Sequence, residues 1–211
     1  MAPVSAYSSS GSREAPGLVL VLDACVLISN VLRHLCLGLA REGIFMPAWS
    51  AIIGDEWARN ASRLWQVPVS DLHKDWSDWQ HEFPLADQAD VQTYKVGLKY
   101  SDPKDWHVIA AARAAQVAFP GCNVHILTKN VKDFNRSELK RLGLSLLLLD
   151  AFLDGILAGR DAPVMMRLLA DMPGALKAPD KPPLTVEELL KRERLFCLNR
   201  SYQRRLLSEG K

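Results

Sequence analysis

Apolar runs that close on a polar residue constrain this chain more than any other feature. Leu18–Leu22 runs straight into Asp23. Val124, Ile126 and Leu127 lead to Thr128 and Asn130, and Leu144–Leu149 ends in Asp150. Runs without polar alternation suit strands buried on both faces, the habit of parallel sheets. Helical patterns separate the runs. Ile28, Val31, Leu32, Leu35 and Leu39 space a helix over 24–41, stopped by Gly43. Ser50 caps a helix carrying Ile52, Ile53, Glu56, Trp57 and Leu64. Leu72, Trp76, Trp79 and Phe83 mark another, and Asp102–Pro103 starts an alanine-rich helix running to Ala118. Ser137–Leu142 reads as a brief helix, Ile44–Ala48 as a short extended piece and Val91–Leu98 as a weakly marked strand. The order implies α/β with a mainly parallel sheet.

Open parallel sheets bind ligands beyond the carboxyl ends of their strands. Asp23 and Asn130 fall at such ends. Glu56 projects from its helix toward the same edge, and Asp105 lies in the first turn of the alanine-rich helix. Carboxylates brought this close resist joint ionisation, which a divalent cation relieves. An oxygen-only donor set favours Mg2+ or Mn2+, which can activate water for phosphodiester cleavage. Each residue also has a local reading. Asp23 and Asp105 serve as helix-start acids, Glu56 as a solvated charge, and Asn130 and Asp133 as turn residues. Those local readings share no reason for the order in which the residues occur.

The residues Asp23–Leu27, Asp55–Asn60, Asp102–Ala112 and Thr128–Phe134 follow the patterns D-x-x-VL, DEW-x-RN, D-P-x-D-x-HV-x-AAA and T-x-N-x-KDF. In these, residues 18–150 resemble a PIN domain. The resemblance implies a three-layer sandwich on a mainly parallel sheet and a metal-dependent endoribonuclease, many relatives being VapC-like toxins neutralised by an antitoxin. It implies that Asp23, Glu56 and Asp105 hold the metal. Asn130 stands where many relatives carry a fourth acid, with Asp133 as the candidate substitute ligand. It sets Thr128, Arg59, Asn60 and His107 beside the site as supporting residues. The implied partners are RNA, a cognate antitoxin and a second copy of the chain. A second reading is a catalytically weak PIN domain that regulates by binding RNA or protein. A third is an interaction module whose acids are structural.

The 211 residues, 48% hydrophobic, suit one domain with a helical appendix. A net charge of +2 leaves nucleic-acid binding to local charge distribution. Arg200, Arg204 and Arg205 cluster near the end of the last helical pattern, as a solvated face or as an RNA or partner contact. The cysteines Cys25, Cys36, Cys122 and Cys197 form no CxxC pair and read as neutral thiols of a reducing compartment. Residues 1–17 read as a disordered tail without a signal-peptide core. No apolar run approaches the ~20 residues of a membrane span, so a cytoplasmic protein is expected. Residues 151–211 read as a helical extension. It has a proline-rich linker over 173–183 and a last helix opened by the capping box Thr185–Glu188 and running to about Leu207. No dinucleotide, P-loop, esterase or zinc-protease motif is present.

Overall fold

The computed structural model describes residues 17–176 and 182–209. The expected tail therefore lies outside the described residues apart from Gly17, as do 177–181 of the expected linker. The fold is α/β around a four-stranded, all-parallel sheet of order β2-β1-β3-β4. The strands are β1 (Leu18–Leu22), β2 (Met46–Ala48), β3 (Asn123–Leu127) and β4 (Ser145–Leu147). Central β1 is buried along Val19–Leu22, where each leucine contributes roughly 1.5–3 kcal/mol by leaving water. The chain passes from β1 to β2 on one side, then returns to place β3 on the other side of β1. The connections thus reverse direction between β1 and β3, which is where an open parallel sheet leaves a crevice at its carboxyl edge.

The helices that frame this crevice follow from local chemistry. The pattern over 24–41 predicts one helix; the structure has two, α1 (Ala24–Ile28) and α2 (Asn30–Arg41). Ser29 is extended and its hydroxyl caps Leu32 N at 3.2 Å. The Arg33 guanidinium donates to Leu27 O at 2.6 Å, serving a carbonyl that the break exposes. Gly43, at φ +69°, closes α2 as expected. Next come α3 (Ala51–Trp65), capped by Ser50, α4 (Val69–Glu82) and α5 (Trp106–Ala118). Helix α5 buries His107–Ala112, Ala114 and Ala115, and these small side chains let its backbone lie close to the sheet. Trp76 and Trp79 of α4 pack on Trp57, with centroids 5.9 and 4.6 Å away. These tryptophans therefore pack α4 onto α3.

Two further expectations need correction. Val91–Leu98 is not a strand. It forms a 3-10 turn over Gln92–Lys95, because Asp90 Oδ1 accepts Gln92 N (2.9 Å) and Gly97 takes φ +87°. The last helix is not continuous either. After α6 (Arg136–Arg141), α7 (Leu149–Ala158) and α8 (Ala162–Ala175), it divides into α9 (Val186–Arg192) and α10 (Phe196–Glu209). Arg194 sits at φ 61° between them. Its N–H returns to Lys191 O (3.0 Å) and that of Leu195 to Leu190 O (2.9 Å), a Schellman closure without the usual glycine. The capping box at Thr185 and Glu188 is formed as expected.

Helices α7–α10 share the core of the sheet domain through Leu153, Leu157, Met165, Leu169, Met172, Leu190 and Leu198. Helix α8 lies against α2 at Gly38, where an added Cβ would come 2.5 Å from Leu168 Cδ2. Asp150 accepts Cys197 N (2.8 Å) and Leu198 N (2.9 Å), fixing the start of α10 on α7. Among the described residues no helix is long and apolar enough to cross a membrane.

Candidate functional site

The crevice between β1 and β3 is where the strand-end residues meet. Leu22 pairs with Leu127, so the next residues, Asp23 and Thr128, stand side by side at the carboxyl edge. Asp23 is 2% exposed and its Oδ2 is held by two donors, Thr128 Oγ1 at 2.6 Å and Cys25 Sγ at 3.0 Å. Thr128 Oγ1 in turn accepts Asn130 N at 2.9 Å, and Cys25 Sγ accepts Lys129 N at 3.2 Å. Burial, followed by the charge of Asp23, pushes the Cys25 thiol up to about 12. It therefore stays protonated at neutral pH and acts as a donor rather than a nucleophile. With Oδ2 committed, the orientation of the Asp23 carboxylate is set by its neighbours.

Asp105 ends the 3-10 turn Pro103–Asp105 at the head of α5. Asp102 begins that turn by accepting Lys104 N at 2.9 Å, and its own N–H donates to Asp133 O at 2.8 Å. This second bond ties the loop before α5 to the loop after β3. The Asp105 carboxyl is pushed up to about 6, from an ordinary value of 3.8. Burial is the largest cause, followed by the charges of Asp23 and Asp133; His107 opposes them and Asp102 adds a further rise. Asp23, Asp105 and Asp133 thus share one region of negative potential with incomplete compensation.

Glu56 comes from α3 and meets His107, which lies near enough to Asp105 to oppose the rise of its carboxyl. The Glu56 Oε2 lies 3.0 Å from His107 Nε2. The His107 Nδ1 donates to Lys104 O at 2.7 Å, which fixes the ring. That leaves Nε2 beside Glu56 without a well-aligned hydrogen bond, so the contact is one of proximity. Among the described residues no three His, Cys, Asp or Glu side chains stand close enough to hold one ion jointly. The donor set still fits a hard cation. It is oxygen-rich, and the charges of Asp23 and Asp133 add to the larger effect of burial in raising Asp105. Mg2+ needs only one or two direct carboxylates and keeps several waters.

The other expected residues are placed as follows. Asn130 is exposed, and its backbone O accepts Asp133 N at 3.0 Å. Arg59 is exposed on α3, and Asn60 accepts from Arg63 at 3.2 Å rather than from a site residue. Arg205 donates to Leu157 O at 2.8 Å and stitches α10 to α7, whereas Arg200 and Arg204 are exposed.

Two further carboxylates matter that the motif reasoning passed over. Glu138 is 1% exposed and accepts Lys99 N (2.8 Å), Tyr100 N (3.3 Å) and Ser101 N (2.9 Å), pinning the segment that enters Asp102. Its visible signal was the Asn135-x-x-Glu138 spacing, which places it in the first turn of α6. Glu193, at the end of α9, meets Lys129 Nζ at 2.9 Å, and no local pattern marks that pairing. No protein-family model, curated protein or solved structure matches this chain.

Proposed function

We propose that this chain is a metal-dependent endoribonuclease with a PIN-like, three-layer architecture, serving as the toxin of a toxin–antitoxin pair. One observation carries the reading: the paired carboxyl ends of β1 and β3 hold a buried, oriented Asp23 at the sheet's switch point, close enough to Asp105 that its charge adds to burial in pushing that carboxyl up to about 6. In this reading Asp23 and Asp105 hold Mg2+ or Mn2+, and Asp133 faces them from the β3 loop. The cation would neutralise a phosphodiester's oxygens and acidify water. The residues of the chain do the rest. Thr128 and Cys25 orient Asp23, Asp133 orients water, and His107 holds Glu56 at the edge of the acidic region. Asp133 is a better candidate than Asn130 for the fourth acid, because its charge is felt at Asp105.

The test is cleavage of single-stranded and structured RNA in EDTA, followed by addition of Mg2+ or Mn2+. Cleavage should be absent in EDTA and return with either metal, whereas undiminished cleavage in EDTA would sink the proposal. The second reading is a catalytically weak RNA- or protein-binding regulator. It is favoured by the lack of three convergent ligands among the described residues. RNA binding without cleavage in any metal would select it.

A further inference from the structure

Lys129 follows Thr128 directly, and its backbone N–H donates to the Cys25 thiol that in turn contacts Asp23. Its side chain is therefore rooted in the carboxyl edge of the sheet. That side chain is 42% exposed, yet its ammonium is engaged by Glu193 at 2.9 Å, whose own side chain is 10% exposed. Glu193 comes from the distant end of α9 and is held in place. Arg192 beside it donates to Asn30 Oδ1 at 3.0 Å, at the head of α2, and lies 3.9 Å from Glu193 Oε1. The turn at Arg194 then directs the chain away into α10. One carboxylate thus sits against two cations, on the rim of a site where substrate phosphates would need cations.

We infer that Lys129 is a phosphate-contacting residue of the substrate groove and that Glu193 masks it, so that nucleic acid binds by displacing Glu193 from Lys129. The inference rests on the nuclease reading for the kind of substrate. It gives the C-terminal helices a role as a built-in brake on the site. A bare ammonium beside a backbone phosphate contributes one unit of counterion release, whereas an ammonium already paired contributes less. A purely structural ion pair would change stability when broken and leave RNA affinity alone.

The experiment is fluorescence anisotropy of a labelled single-stranded RNA in EDTA, across a salt series. It uses the full chain as wild type, Glu193→Gln, Lys129→Met and the double variant. Glu193→Gln should bind about 3–10-fold more tightly at low salt, with a log–log salt slope steeper by up to about 0.7. Lys129→Met should bind more weakly, and in that background Glu193→Gln should give no gain. Glu193→Asp, which draws the charge back by one methylene, should give an intermediate gain and serves where Glu193→Gln folds poorly. Wild-type affinity and slope in both Glu193 variants would overturn the inference. So would an equal gain with and without Lys129, or no RNA binding by any form. Binding that behaves as expected, with no cleavage in any metal, would defeat the nuclease reading and leave the mask standing.

Discussion

Asp105→Asn should raise the stability of the metal-free protein at pH 7.5 by about 1–2 kcal/mol while abolishing RNA cleavage. Its folded carboxyl titrates near 6 and its ordinary value is 3.8, so the folded state holds this proton more tightly than the unfolded chain does. The sign follows from linkage. Relative stability is fully present below 3.8 and is lost as pH rises through about 6, where the carboxylate ionises against Asp23 and Asp133. A shift of this size corresponds to about 3 kcal/mol at full burial, and the partial exposure of Asp105 reduces it. Asparagine removes the charge and keeps the shape. The gain should therefore appear in urea denaturation at pH 7.5 and vanish near pH 3.5. The same change removes the group proposed to hold the cation, so cleavage should fall by at least about 100-fold. Asp102→Asn should leave both quantities nearly unchanged, because asparagine caps as well as aspartate. A loss of activity at Asp102 equal to that at Asp105 would show that the acid has been misassigned.

Glu138→Ala should cost about 3–4 kcal/mol, the largest stability loss expected here. Its buried carboxylate serves backbone N–H groups of Lys99, Tyr100 and Ser101, and alanine leaves them without that acceptor, the buried Ser101 N–H above all. Burial by itself raises this carboxyl, but the N–H of Lys99, the Ser101 hydroxyl and the remaining backbone donors outweigh it and hold it below its ordinary 4.5. The sign is opposite to that of Asp105. This contribution is present above pH 4.5 and is lost as pH falls through the depressed folded value. Urea denaturation of wild type and Glu138→Ala should therefore converge at acid pH. A difference independent of pH would assign the loss to packing rather than to the carboxylate. Because Ser101 leads into Asp102 and Asp105, cleavage by the folded fraction of this variant should fall as well.

The sheet and the strand-end residues were legible because parallel strands buried on both faces write continuous apolar runs. Leu18–Leu22 and Asn123–Leu127 stand where those runs predict, with Asp23 and Thr128 at their ends. Turn chemistry was harder to read. Arg194 adopts a left-handed conformation that usually selects glycine, so nothing in the residue types announces the break between α9 and α10. Val91–Leu98 has the composition of a strand but pairs with no strand among the described residues, and Asp90 turns it locally. Long-range pairs such as Lys129 with Glu193 depend on how α9 docks, which no spacing rule encodes. For Asn130 and Asp133, motif position drew attention to the first, whereas the electrostatics of Asp105 depend on the second.

The central claim is that Asp23 and Asp105 hold a divalent cation at the switch point of the sheet, with Asp133 facing them from the β3 loop. Calorimetric titration of the purified chain with Mn2+ tests it most directly, in buffers of different ionisation enthalpy at pH 6 and pH 8. With Asp105 half-protonated near pH 6, binding should release about half a proton there and almost none at pH 8. Asp105→Asn should weaken Mn2+ binding by at least about tenfold and abolish the pH-dependent proton release. Saturable Mn2+ binding that is unchanged in Asp105→Asn, or no Mn2+ binding by the wild-type chain, would contradict the account.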